Sequence, residues 1–156
     1  MKKDVILHIS GVHTEEVKID GTEIERAETE ITEDTPAEYF FRNGKHYIIY
    51  EEVEDGVSGV TKNQIKITGN TKVELRKNGL HATNMVFEKG IQAHTNYQTP
   101  FGNIALDIHT TKLDVQESEE HLEVSVEYAL EADGAQLSEC RLGVSVREKE
   151  SYENTL

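Results

Sequence analysis

Three small sets of side chains in this chain could do chemistry. The first is His81, Thr83, Thr95 and Tyr97. An imidazole, two hydroxyls and a phenol on one wall could orient a bound ligand, because small-molecule pockets are mostly apolar with a few placed polar groups. Met85, Leu106, Val126 and Tyr128 would supply the apolar lining. The plainer account is a buried network that satisfies its own hydrogen bonds. No nucleophile or carboxylate falls beside His81, so general acid–base catalysis has no support and no catalytic residue is assigned.

The second set is His94, Asp107 and His109, residue types that bind first-row metals. They are expected on an outer wall, where a metal would lack a pocket and supporting hydrogen bonds. Ordinary solvent-facing polarity explains them as well, so no metal and no other cofactor is expected. The third set is Lys62, Lys66, Lys72 and Arg76. Such a basic stripe would steer a negatively charged partner. It would also serve simply as surface ion pairs.

Charge sharpens the third set. The net charge is −14. That excludes general nucleic-acid binding, which relies on neutralising phosphates, and disfavours anionic membrane surfaces. The charge is uneven. Residues 14–38 hold ten acids and two bases, residues 60–100 two acids and six bases, and residues 117–133 seven acids and no base. Acidic strands of one copy could pair with the basic stripe of another, which makes a homodimer one expectation.

Familiar catalytic motifs are missing. The sequence holds no phosphate loop, no G-x-G-x-x-G, no G-x-S-x-G, no H-E-x-x-H and no C-x-x-C. Its one cysteine, Cys140, reads as a half-buried bystander. The apolar run Val5–Ile9 is too short for a signal segment, and no run approaches the ~20 residues of a membrane span. A cytoplasmic location is therefore expected.

The elements that must carry these side chains are strands. Apolar and polar residues alternate nearly everywhere, and helical periodicity is almost absent. Residues 10–21 read as a loop or one helical turn, and the acidic residues 22–34 as an exposed edge-like strand broken by Pro36. Asn43-Gly44 and Asp133-Gly134 read as tight hairpins. A three-residue loop at 69–71 sets Ile67 opposite Val73 and Lys66 opposite Glu74. Lys77-Asn78-Gly79 would set Leu75 opposite His81. Glu88-Lys89-Gly90 would set Met85 opposite Ala93 and Thr83 opposite Thr95. A four-residue loop at 100–103 would set Tyr97 opposite Leu106 and His94 opposite His109. The core phase switches near Thr111-Lys112, which calls for a bulge, and again near 138–141. The fold expected is all-β: one domain over 1–150, an up-and-down antiparallel meander of about eight to ten strands closed into a barrel, with a polar tail at 151–156. Closure removes the sheet edges. A two-sheet sandwich is the alternative.

Several stretches carry a resemblance. They are Tyr50-Glu51-Glu52, Thr61 with Ile65-Lys66-Ile67, and Val73-x-Leu75-Arg76-x-x-Gly79. Met85-x-Phe87 with Gly90, Tyr97-x-Thr99-Pro100-Phe101-Gly102 and Val126-x-Tyr128-x-Leu130 complete the set. In order and spacing, from about Tyr39 to Val146, the chain resembles the YwiB-like family of uncharacterised bacterial proteins. That resemblance implies a lipocalin-like (calycin) β-barrel and an interior able to hold a small apolar ligand. It implies no catalytic residues, and fold does not determine function. Three readings remain: a non-catalytic barrel binding a small apolar molecule, an interaction or self-associating module using the basic stripe, and a metal-dependent enzyme.

Overall fold

A computed structural model describes residues 2–19, 23–52, 61–78, 83–99, 102–132 and 135–149. Ten strands make up nearly all of them: β1 Lys2–Ile19, β2 Glu23–Arg42, β3 Lys45–Glu52, β4 Thr61–Thr68 and β5 Lys72–Lys77. Then follow β6 Thr83–Glu88, β7 Gln92–Thr99, β8 Gly102–Glu117, β9 His121–Ala132 and β10 Ala135–Glu148. The sheet order is β6-β5-β4-β3-β2-β1-β10-β9-β8-β7, and every ladder is antiparallel. Strands adjacent in sequence are thus neighbours in the sheet, except β6 and β7. The β1–β10 ladder joins the two halves into a nearly closed barrel.

Turn chemistry fixes much of this. Asn43 and Gly44 both take positive φ (53° and 76°), as a two-residue hairpin requires, and Arg42 pairs with Lys45. Gly69 (φ 49°) opens the expected three-residue loop that sets Thr68 against Lys72. The expected bulge lies between Thr110 and Lys112. The second phase switch lies between Gln136 and Ser138, slightly earlier than the pattern suggested, and leaves Leu137 exposed.

The N-terminal third departs from expectation. Residues 10–19 are strand, not loop or helical turn. They pair with β2 through to Ile19 opposite Glu23, placing Glu16 against Arg26 and His8 against Asp34. The His8–Asp34 contact and the β-branched Val12 and Thr14 favour the ladder. Pro36 does not end β2. It immediately precedes Ala37, the first residue of β2 paired with β3. Among the described residues, β2 before Ala37 is paired on one side only. The exposed Glu28, Glu30, Glu33 and Asp34 blunt that edge against pairing with other chains.

The core sits inside the barrel. Val5, Leu7, Ile48, Ile65, Ile67, Val73, Phe87, Ile108, Val126 and Val144 are among the residues buried there. Phe87 of β6 packs on Tyr128 of β9 with ring centroids 4.7 Å apart, an inter-ring contact across the interior.

Candidate functional site

The seam between β6 and β7 is where the expected registers fail. Ile91 N–H donates to Glu88 O (3.0 Å) and closes the expected turn, with Gly90 at φ 80°. Gly90 N–H, however, donates to Thr110 O on β8 (3.1 Å). The turn therefore delivers β7 to β8 and not back along β6, and Thr83 and Met85 have no ladder partners on β7. A side-chain bond spans the gap: Thr95 Oγ1 donates to Asn84 O at 2.7 Å.

Two neighbouring registers also differ, that of β7–β8 by two residues and that of β5–β6 by four. Thr99 pairs with Gly102, so the β7–β8 loop has two residues and not four. Gly102, at φ 119°, lets β8 begin at once. Thr95 consequently faces Leu106, Tyr97 faces Ile104, and His94 faces Asp107. On the other side Lys77 pairs with Thr83 and Leu75 with Met85. A shift by an even number of residues preserves the face of every side chain, so the inward and outward assignments survive although the partners change.

These shifts build one groove of about 460 Å³ over the seam. Arg76, Lys77 and Thr83 line one side; His94, Thr95, Leu106 and Asp107 line the other, with Asn78, Asn84 and Asn96 between. His94 Nδ1 is hydrogen-bonded to Asp107 Oδ1. Arg76 is exposed, and among the described residues no carboxylate lies within ion-pair distance of its guanidinium. The groove is thus amide- and hydroxyl-rich, with the cations Arg76 and Lys77 on one wall and a His–Asp pair on the other.

The three sequence-derived sets are partly merged by this geometry. Thr83, Thr95, Leu106, His94, Asp107 and Arg76 meet in the groove. His81 lies outside the described residues, as does the side chain of Tyr97. Met85 is half-buried against the core. Val126 is fully buried, and Tyr128 is occupied by Phe87. His109 faces Gln92 and not His94. Among the described residues no group of three or more His, Cys, Asp or Glu is arranged to hold a metal ion. The rest of the basic stripe runs along the outer wall. Lys72 is 3.0 Å from Glu74, Lys66 lies 5.7 Å above the Tyr47 ring, and Lys62 is exposed opposite Glu51.

Sequence reasoning missed a polar row at the same end of the barrel. Tyr50, Asn63, Lys77 and Thr83 are paired across four strands. Two residues deeper lies the apolar row Ile48, Ile65, Leu75 and Met85. Tyr50, Asn63 and Thr83 are buried. Burial, with Glu52 and Glu33 nearby, pushes the Tyr50 phenol well above its usual range and keeps it protonated. The signal was present: polar residues continue the inward phase of strands whose neighbours are Ile48 and Ile65.

Comparison with known proteins fits this architecture. The family described as "Domain of unknown function (DUF1934)" matches residues 12–144. The chain belongs to that family. The crystal structure of ywiB protein from Bacillus subtilis is similar, with a TM-score of 0.68 at 21% identity. The match covers 94% of this chain and 92% of that one. No curated protein matches. No helix among the described residues is long and apolar enough to cross a membrane.

Proposed function

We propose that this protein is a non-catalytic binding barrel whose ligand is a small, polar, negatively charged molecule held in the seam groove. The observation that carries the reading is Arg76. It lines a groove of ligand size and has no carboxylate partner among the described residues, in a chain of net charge −14. Free anions are repelled by the chain as a whole, so a groove that offers a cation is a local exception. Asn78, Asn84, Asn96, Thr83 and Thr95 supply donors and acceptors around it. The apolar interior ligand expected from the sequence has less to stand on, because Val126 and Tyr128 are engaged in core packing.

Titration with inorganic phosphate and small carboxylates, followed by amide NMR, tests the reading. Saturable shifts should cluster at Arg76, Asn84 and His94. Arg76→Gln should weaken binding at least tenfold, and Lys66→Gln, outside the groove, should not. Unsaturable or scattered shifts would sink it.

A second reading uses the outer wall. Phe40 stacks on Tyr47 (4.8 Å, 9°) with Lys66 above Tyr47. This basic, partly apolar wall complements the acidic edge of β2 in a second copy. Sedimentation should then show a salt-sensitive dimer that Lys66→Glu weakens. A monomer at low salt and high protein concentration counts against it.

A further inference from the structure

The polar row at the barrel mouth contains a buried acceptor without a donor. Asn63 is 1% exposed, and among the described residues its Oδ1 has no hydrogen-bond partner. Its Nδ2 donates to Glu52 Oε2 at 3.3 Å. That bond fixes the amide's orientation, since a flipped amide would turn Oδ1 toward the carboxylate. Buried acceptors are nearly always paired, so this one marks a place where a donor is missing.

Lys77 stands at the paired position on the next strand, and it also lines the seam groove. Its Nζ is 3.9 Å from Glu52 Oε2, a loose pair on half-exposed side chains. Paired positions on adjacent strands place their side chains ~5 Å apart. An acceptor that takes only a donor thus sits one short molecule away from a cation that takes an anion.

We propose that the groove's ligand is a small carboxylic acid bearing a hydroxyl or amino group on the carbon next to its carboxylate, with Asn63 Oδ1 receiving that donor and Lys77 holding the carboxylate. The proposal rests on the groove reading above and names its ligand class. The ligand's carboxylate takes the place of Glu52 on Lys77, and parting that pair opens the way from the groove to Asn63. Thr83, the last residue of the row, pairs with Lys77 and lines the groove. Acetate has the carboxylate alone. Glycolate and glycine add the donor one carbon away, the span that the row offers.

The test is NMR titration of the full chain with acetate, glycolate and glycine. Glycolate or glycine should bind at least tenfold more tightly than acetate and should shift the Asn63 side-chain amide. Asn63→Leu should reduce that preference to near unity and leave acetate unchanged, whereas Lys77→Gln should weaken all three. Equal binding of the three acids, or an unmoved Asn63 amide, overturns the ligand class and leaves the groove reading standing. Absence of saturable binding by any of them, with phosphate also inert, overturns both. If Asn63→Leu does not fold, the Asn63 amide shift in the unmodified chain decides the matter alone.

Discussion

Thr95 Oγ1 donates a 2.7 Å hydrogen bond to the backbone carbonyl of Asn84, across the seam where β6 and β7 form no ladder. A side chain here does what a backbone N–H does elsewhere in the barrel. The bond is partly exposed, so its net contribution is about 1 kcal/mol. Thr95→Val should cost about that much in urea unfolding and should speed amide exchange in β7. Thr95→Ser should restore most of it. Unchanged exchange in Thr95→Val would show that the seam is held by other contacts.

The aromatic contact across the interior carries more. Phe87 is fully buried, and its ring meets Tyr128. Phe87→Ala should cost about 3–5 kcal/mol, the usual range for a large core truncation. Phe87→Leu should cost markedly less. Exposed Ile31→Ser should change stability by less than about 0.5 kcal/mol. Equal effects at Phe87 and Ile31 would contradict the packing.

Much of the barrel was legible because its turns carry specific residues. Asn43-Gly44 and Gly69 each fix a loop length, and loop length fixes register; Asp133-Gly134 lies outside the described residues. The bulge at Thr110–Lys112 was legible because one extra residue inverts the core phase between Ile108 and Leu113. The seam was not. Local pattern cannot tell whether Gly90 N–H goes back along its own hairpin or across to Thr110, since that depends on barrel closure. The β7–β8 register was misread by two because a shift of two leaves every side chain on its face. The groove was consequently invisible, although six of its residues had been singled out separately. The outer part of the β1–β2 hairpin was missed because Glu15-Glu16 interrupts the apolar alternation of residues 10–19, which nevertheless pair with residues 23–32.

Two tyrosines should make the barrel sensitive to alkali. Burial first, and nearby acidic groups second, raise the Tyr50 phenol; burial first, and Cys140 second, raise that of Tyr128. Both folded-state values lie above the ordinary 10.0. The neutral forms are therefore favoured by folding. Their contribution is complete below pH 10 and is lost as pH rises above it, where unfolded phenols ionise first. Stability to urea should be flat near neutrality for these groups and should fall above about pH 10. In a spectrophotometric titration, Tyr50 and Tyr128 should each ionise above the ordinary tyrosine range. Tyr50→Phe and Tyr128→Phe should each flatten the alkaline fall. A fall of unchanged steepness in both variants would place its cause elsewhere.

Cys140 is buried more deeply than a half-exposed bystander. It is 3% exposed, with Sγ 3.1 Å from His13 Nδ1 and 3.4 Å from Ser138 Oγ. A thiol reagent reaches it only when the barrel opens locally, so labelling should be slow and should accelerate with denaturant. His13 covers it from β1, opposite Cys140 in the β1–β10 ladder. His13→Ala should speed labelling several-fold and leave global stability nearly unchanged. Val144→Ala, in the core beside the same ladder, should instead lower stability by about 1–3 kcal/mol and speed labelling only in proportion. Rapid labelling of the unmodified chain, at the rate of a free thiol, would contradict the burial of Cys140.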